Sequence, residues 1–227
     1  MRANRTTTAE AQSAYADDRQ MPSAFVRLTG RVGSELIVRA PWLWPLLRRP
    51  AKRIWERMAG EWDATIKPDR EDHLAPLVAA CDHLDAPPVN VLEIGAGTGA
   101  GATMLARRFP EARIIGVDLS EAMVSAANAK REESLRARLQ FEVADGAALD
   151  YPDNSFDLIT QLNMPPFLDE VTRLLRPGGS IVIADSLGPA TPSYTSERLL
   201  RRAFQRRGLR TISTGRAGAG TFILAQR

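Results

Sequence analysis

Cysteine is almost missing from this chain. Cys81 is the only one in 227 residues, which excludes an intrachain disulfide and any multi-cysteine metal site. No cluster of His, Cys, Asp and Glu stands out, so no metal is expected. Histidine is limited to His73 and His83. No apolar run approaches bilayer-spanning length, and residues 1–24 lack the apolar core of a signal peptide. The expected setting is therefore cytoplasmic. What remains is ordinary for a soluble globular chain: 44% hydrophobic, 25% charged, long enough for one sizeable α/β domain with an appendage.

The charge is uneven. Residues 1–60 hold 11 Lys and Arg against 5 Asp and Glu, while the rest holds 19 against 22. All four tryptophans, Trp42, Trp44, Trp55 and Trp62, fall in or just after the basic part. Three regions are expected: a polar leader over 1–20, a helical cap over 21–66 and an α/β domain over 67–227. In the cap, helical periodicity over Pro22–Val38 is interrupted by Gly30 and Gly33. The three prolines of Pro41–Pro50 exclude one regular helix there, and Ala51–Trp62 reads as a helix. A further helix over Pro68–Leu84 carries both histidines.

The chain is organised around Val89–Ala102 (VNVLEIGAGTGAGA). Val91, Leu92 and Ile94 form a continuously apolar run, the pattern of a strand buried on both faces. Four glycines spaced by small residues follow, then a helix that Thr98 is placed to cap. A strand, glycine turn and helix N-terminus let a ligand approach bare backbone. The glycines alone also fit a dinucleotide site loosely. Glu93 separates the two readings: a carboxylate beside the turn repels a pyrophosphate and favours a cationic ligand group. Further strands are expected over Ala112–Val117, Leu139–Ala144, Phe156–Gln161 and Ser180–Asp185, with a closing hairpin of Leu209–Ser213 and Thr221–Ala225. Acids stand at successive strand tips: Glu93, Asp118 and Asp145. Asp118 is placed to accept hydrogen bonds from both ribose hydroxyls of an adenosine, and Ser120 to cap the next helix.

Glu93-Ile94-Gly95-Ala96-Gly97-Thr98-Gly99 resembles motif I of the class I S-adenosylmethionine-dependent methyltransferases, and the likeness extends over about residues 55–227. It implies a Rossmann-like, doubly wound, seven-stranded α/β sheet of order 3-2-1-4-5-7-6, last strand antiparallel, with the N-terminal helical cap. It implies S-adenosylmethionine as cofactor and S-adenosylhomocysteine as product, held by Glu93, Gly95, Ala96, Gly97, Thr98, Gly99, Asp118, Leu119, Met123, Asp145, Gly146 and Gln161. Asp145 resembles the residue that accepts the adenine amine. WERMAGEWD (Trp55–Asp63) is similar to an aromatic-Asp element that folds over the ligand as a lid; a packing helix and an interfacial membrane segment are the competing readings. Asn163-Met164-Pro165-Pro166-Phe167 is similar to the Asn-Pro-Pro-aromatic loop of amino-group methyltransferases, with Met164 inserted. Trp55, Trp62, Asn163 and Met164 are the substrate and lid candidates, and His73, Asn163 and Asp185 the catalytic ones.

The expected reaction moves the sulfonium methyl to an O, N or C nucleophile of a small metabolite or natural product. Alternatives are a lipid acceptor, with peripheral membrane contact through residues 39–57, an RNA acceptor read from the arginines of Ser196–Arg207, and a non-catalytic S-adenosylmethionine-binding protein. Nucleic acid is not the expected partner, because a run of this kind is more often a solvated helix face. A nicotinamide dehydrogenase ranks last. None of Tyr15, Tyr151 and Tyr194 has a lysine four residues on, as a Tyr-x-x-x-Lys proton donor requires.

Overall fold

A computed structural model describes residues 23–68 and 70–227. The expected polar leader, and Asp69, lie outside the described residues. Two helices come first, α1 (Ala24–Arg39) and α2 (Trp44–Ile66), joined by a 3-10 turn at Pro41–Leu43. Then follow α3 (Glu71–Cys81), β1 (Asn90–Ile94), α4 (Ala100–Arg108), β2 (Arg113–Asp118), α5 (Glu121–Lys130), β3 (Leu139–Val143), β4 (Phe156–Leu162), α6 (Leu168–Leu174), β5 (Leu175–Asp185), α7 (Glu197–Gln205), β6 (Arg210–Ala217) and β7 (Gly220–Gln226).

The strands form one sheet of order β3-β2-β1-β4-β5-β7-β6. β1 to β5 run parallel to one another, and β7 is antiparallel to both β5 and β6. Strands buried on both faces need helices on both, and two apolar cores result. Leu77 and Cys81 of α3, Leu105 of α4 and Val124 of α5 pack on one face. Val171 and Leu174 of α6, with Leu200 and Phe204 of α7, pack on the other, and Ile37, Val38 and Trp44 of the N-terminal segment join them. Burial pushes the Cys81 thiol up to about 12, so it behaves as a small apolar group.

Two helix boundaries differ from expectation because the cost of proline depends on position. Pro45 falls in the first turn of α2, where its missing N–H has no partner to lose. Pro50 lies inside the helix, which continues through it and spans 23 residues. Likewise α1 runs unbroken through Gly30 and Gly33. Gly30 is there for contact: a Cβ would meet the Pro192 carbonyl at 2.5 Å. At the start of β5, the Arg176–Gly179 stretch is a bulge within the strand, between the Phe156–Leu175 and Leu158–Ser180 pairs. Asp157, buried beside it, accepts the Val89 and Asn90 N–H groups and pairs with Arg176 at 2.7 Å.

A candidate active site at the strand tips

The carboxyl ends of β1, β2, β3 and β4 open into one cavity of about 480 Å³, roofed by the inner faces of α1 and α2. β1 ends in a turn in which Gly95, Gly97 and Gly99 all take positive φ, of 74°, 54° and 90°. Gly99, not Thr98, occupies the N-cap of α4, and no side chain caps it. The Thr98 hydroxyl is turned instead to Asp63 of α2, at 2.6 Å. Gly101 leaves room for Glu93, since a Cβ there would overlap its carboxylate. Glu93 is fully enclosed, and its Oε2 has no protein partner among the described residues. Burial pushes the Glu93 carboxyl up to about 8; the Ala102 N–H opposes this and Asp118 adds to it.

Asp118 at the tip of β2 is held from both sides. Its Oδ2 accepts the Gly97 N–H and its Oδ1 the Ser120 N–H, each at 2.9 Å. Burial raises its carboxyl, and those N–H groups pull it back. The Leu119 N–H also reaches the carboxylate, which keeps acceptor capacity beyond these three donors. Ser120 caps α5 as expected, accepting from the Met123 N–H at 3.2 Å. Leu119 and Met123 line the cavity beside Asp118.

At the tip of β3, Asp145 is engaged by α2. Trp44 Nε1 donates to its Oδ1 at 2.7 Å and Arg48 to its Oδ2 at 3.3 Å. The Ala147 N–H takes a third acceptor position. The fastening continues along α2. Glu56 accepts the Glu121 and Ala122 N–H groups at the start of α5, Lys52 pairs with Glu121, and Asp63 pairs with Lys130.

The cavity brings together His73, Glu93, Gly95, Ala96, Gly97, Thr98, Asp118, Leu119, Met123, Gly146, Asn163 and Met164, with Trp55 and Trp62 from above. Asn163, at φ 56°, sends its amide between two strands. Its Nδ2 lies 2.8 Å from Ser186 Oγ and 3.2 Å from His73 Nε2, and its Oδ1 accepts the Ser186 N–H at 2.7 Å. Ser186 Oγ in turn donates to the His73 carbonyl. This network is a polar corner in an otherwise apolar chamber.

Four candidates do not line the cavity: Gly99, Asp145, whose carboxylate is taken by Trp44 and Arg48, Gln161 and Asp185. Gln161 is buried behind Met164, its Nε2 3.8 Å from the sulfur. Asp185 lines a different cavity, because side chains alternate along β5. Ser186 faces His73, so Asp185 faces the opposite side of the sheet. Several residues that sequence reasoning passed over belong to the chamber: Ser34, Ile37, Leu47 and Ile54 line it, and Ser186 orders its polar corner. The recurrence Trp44, Leu47, Ala51, Trp55, Trp62 is a helical stripe that was available in the sequence.

Residues 91–179 match the methyltransferase-domain family. Over these residues the chain carries a methyltransferase domain. Phosphoethanolamine N-methyltransferase 1 of Arabidopsis thaliana is 37% identical over 52% of this chain and 26% of its own length. The ubiquinone/menaquinone biosynthesis C-methyltransferase of Dinoroseobacter shibae is 35% identical over 56% and 51%. The chain thus spans from a quarter to about half of these relatives. In fold, the methyltransferase domain is similar to a SAM-dependent methyltransferase from Aquifex aeolicus, with a TM-score of 0.59 at 22% identity over 70% of this chain and 93% of that one.

The chamber fits this family's cofactor chemically. The unpartnered Glu93 oxygen suits a cationic amino acid group, the glycine backbone leaves room beside it, and Asp118 retains acceptors for a diol. Among the described residues, no helix is long and apolar enough to cross a membrane.

Proposed function

We propose that the protein transfers the methyl of S-adenosylmethionine to a small, largely apolar metabolite. The observation that carries this reading is Glu93: a buried carboxylate with an unpartnered oxygen, beside a bare glycine turn and next to Asp118 in one chamber. Glu93 receives the cofactor's ammonium end and Asp118 its ribose hydroxyls, while Leu119 and Met123 flank the adenine and Gly146 borders it. Bound there, S-adenosylmethionine supplies an electrophilic sulfonium methyl, so the protein's work is alignment and exclusion of water. α2 acts as a lid, with Trp55 and Trp62 packed edge to face at 5.7 Å. His73 accepts the acceptor's proton where one is lost, and Asn163 holds its ring.

The lining favours one acceptor chemistry. Among the described residues no Lys or Arg lines the chamber, so an anionic group such as a phosphate would meet no counter-charge from them. Phosphoethanolamine, named for one relative, is disfavoured on this ground. A ring-bearing apolar acceptor, closer to what the quinone-pathway relative's name describes, suits Ile37, Leu47, Ile54 and the two tryptophans. A cytoplasmic setting, with acceptor taken from a membrane surface, belongs to this reading. Phe25, Leu28 and Val32 form an outward stripe on α1, 74%, 63% and 59% exposed, and Trp42 and Leu46 continue it among arginines. Apolar side chains ringed by basic ones suit an anionic headgroup layer. Cosedimentation with anionic vesicles that persists equally in a Phe25→Ser, Leu28→Ser, Val32→Ser variant would refute that contact.

Calorimetry with S-adenosylhomocysteine and NAD tests the main reading. S-Adenosylhomocysteine is expected to bind, NAD is not, and Asp118→Ala is expected to weaken the former by at least tenfold. Methyl release across apolar ring acceptors then separates an enzyme from a non-catalytic binder. Binding of NAD alone would overturn the proposal.

A further inference from the structure

The tip of β5 divides two cavities. Ser186 turns to Asn163 and His73 of the chamber described above, and Asp185 lines a second cavity of about 350 Å³. Its floor is apolar: Ile183 of β5, Leu200 of α7 and Ile223 of β7. Asp185, Thr195 and Thr221 are among its polar lining. Asp185 is 5% exposed, and neither a hydrogen bond nor an ion pair satisfies its carboxylate among the described residues. Thr195, 2% exposed, presents a hydroxyl that is also unpartnered. Thr221 sits directly opposite Asp185 across the antiparallel β5–β7 pair, so its side chain lies on the same face.

Buried polar groups are ordinarily satisfied, and an unpartnered carboxylate beside a cavity is the kind of exception that a ligand explains. The charged groups nearby leave Asp185 without a cation. Arg216 is one strand further out, paired in register with Thr221, and is exposed. Arg31 stacks 5.4 Å from the Tyr194 ring and donates to the Pro189 carbonyl. Glu197 at the rim pairs with Arg201. Burial alone pushes the Asp185 carboxyl up to about 8, as befits a site lacking its counter-ion.

We infer that this cavity is a second binding site, taking a small organic ammonium ion whose nitrogen meets Asp185 and the Thr195 and Thr221 hydroxyls and whose carbon tail lies on Ile183, Leu200 and Ile223. A bare metal ion fits less well. One buried carboxylate supplies too little charge for a divalent ion, and the volume and apolar floor exceed what an ion uses. The site is independent of cofactor binding and of the methyl-transfer reading.

n-Propylammonium chloride is the probe, with 1-propanol and potassium chloride as controls, followed by amide NMR. The titration is run in a Glu93→Gln background, so that the buried carboxylate of the first chamber is not the reporter. Saturable shifts at Thr195 and Thr221 are expected with n-propylammonium alone. Adding Asp185→Asn is expected to weaken binding at least tenfold, and adding Thr195→Val at least threefold. Absence of saturable shifts at these residues, an equal response to 1-propanol, or undiminished affinity in Asp185→Asn overturns the site. If Asp185→Asn does not fold, Thr195→Val decides, and unchanged affinity there counts against it.

Discussion

Replacing Glu93 by Gln should change how stability depends on pH, by an amount the structure sets. The Glu93 carboxyl moves from an ordinary 4.5 to about 8 on folding. Its folded value lies above its unfolded one, so folding favours the protonated form. Its contribution is intact below about pH 4.5 and is lost as pH rises toward 8. The loss is about 1.4 kcal/mol per pH unit across that window. At pH 7 the ionisable side chain therefore costs about 3 kcal/mol, most of which accrues between pH 5 and pH 7. Gln keeps the shape, can accept the Ala102 N–H and does not titrate. Urea unfolding of the ligand-free wild type and Glu93→Gln at pH 5, 6 and 7 should give similar stabilities at pH 5 and a gap that widens steadily in favour of the variant. Because m reflects the surface exposed, it should stay constant and the change should appear in the midpoint. Parallel stability curves from pH 5 to pH 7 would show that Glu93 is not a buried ionisable group, and the argument for its role would fail with it.

Gly99→Ala places a side chain at φ 90° and against the Phe141 ring; about 2–3 kcal/mol of stability should be lost in urea unfolding, and a loss under 0.5 kcal/mol would contradict the turn geometry. Asn163→Ala removes the amide that orders His73 and Ser186; turnover should fall at least tenfold with S-adenosylhomocysteine affinity within twofold by calorimetry, and equal losses in both would reassign the residue to cofactor binding. Trp44→Phe keeps the edge contact with Phe167, 4.8 Å between centroids, but removes the N–H donated to Asp145; S-adenosylhomocysteine should dissociate several-fold faster in stopped flow, and an unchanged rate would argue that α2 does not gate the site.

The α/β framework was legible because its signals are local. The apolar runs of β1 and β2, the glycines after Ile94 and the acids at Glu93 and Asp118 each mark a backbone requirement within a few residues. What was not legible depends on distance or on phase. Thr98 has the composition of a helix cap, but Asp63, 35 residues earlier, takes its hydroxyl, and nothing local announces that. α2 was shortened because three prolines were weighed alike, although Pro45 stands where a missing N–H costs nothing. Asp185 was a catalytic candidate, but side chains alternate along β5 and it lines a different cavity, a phase that the partners of Ser186 reveal. The polar corner of His73, Asn163 and Ser186 joins three segments far apart in sequence, so its candidates were identifiable singly but not as a unit.

α2 is fastened at three successive points: Trp44 and Arg48 at the tip of β3, Lys52 and Glu56 beyond β2, and Asp63 at the turn after β1. These are the positions a nucleoside would span. On the reading given above, cofactor cannot slip in or out past one loosened end; the helix must release along its length. The clock of the catalytic cycle would then lie in exchange, with spent cofactor waiting on the roof rather than on bond making. Because several of those fasteners are exposed ion pairs, the waiting time should shorten as ionic strength rises.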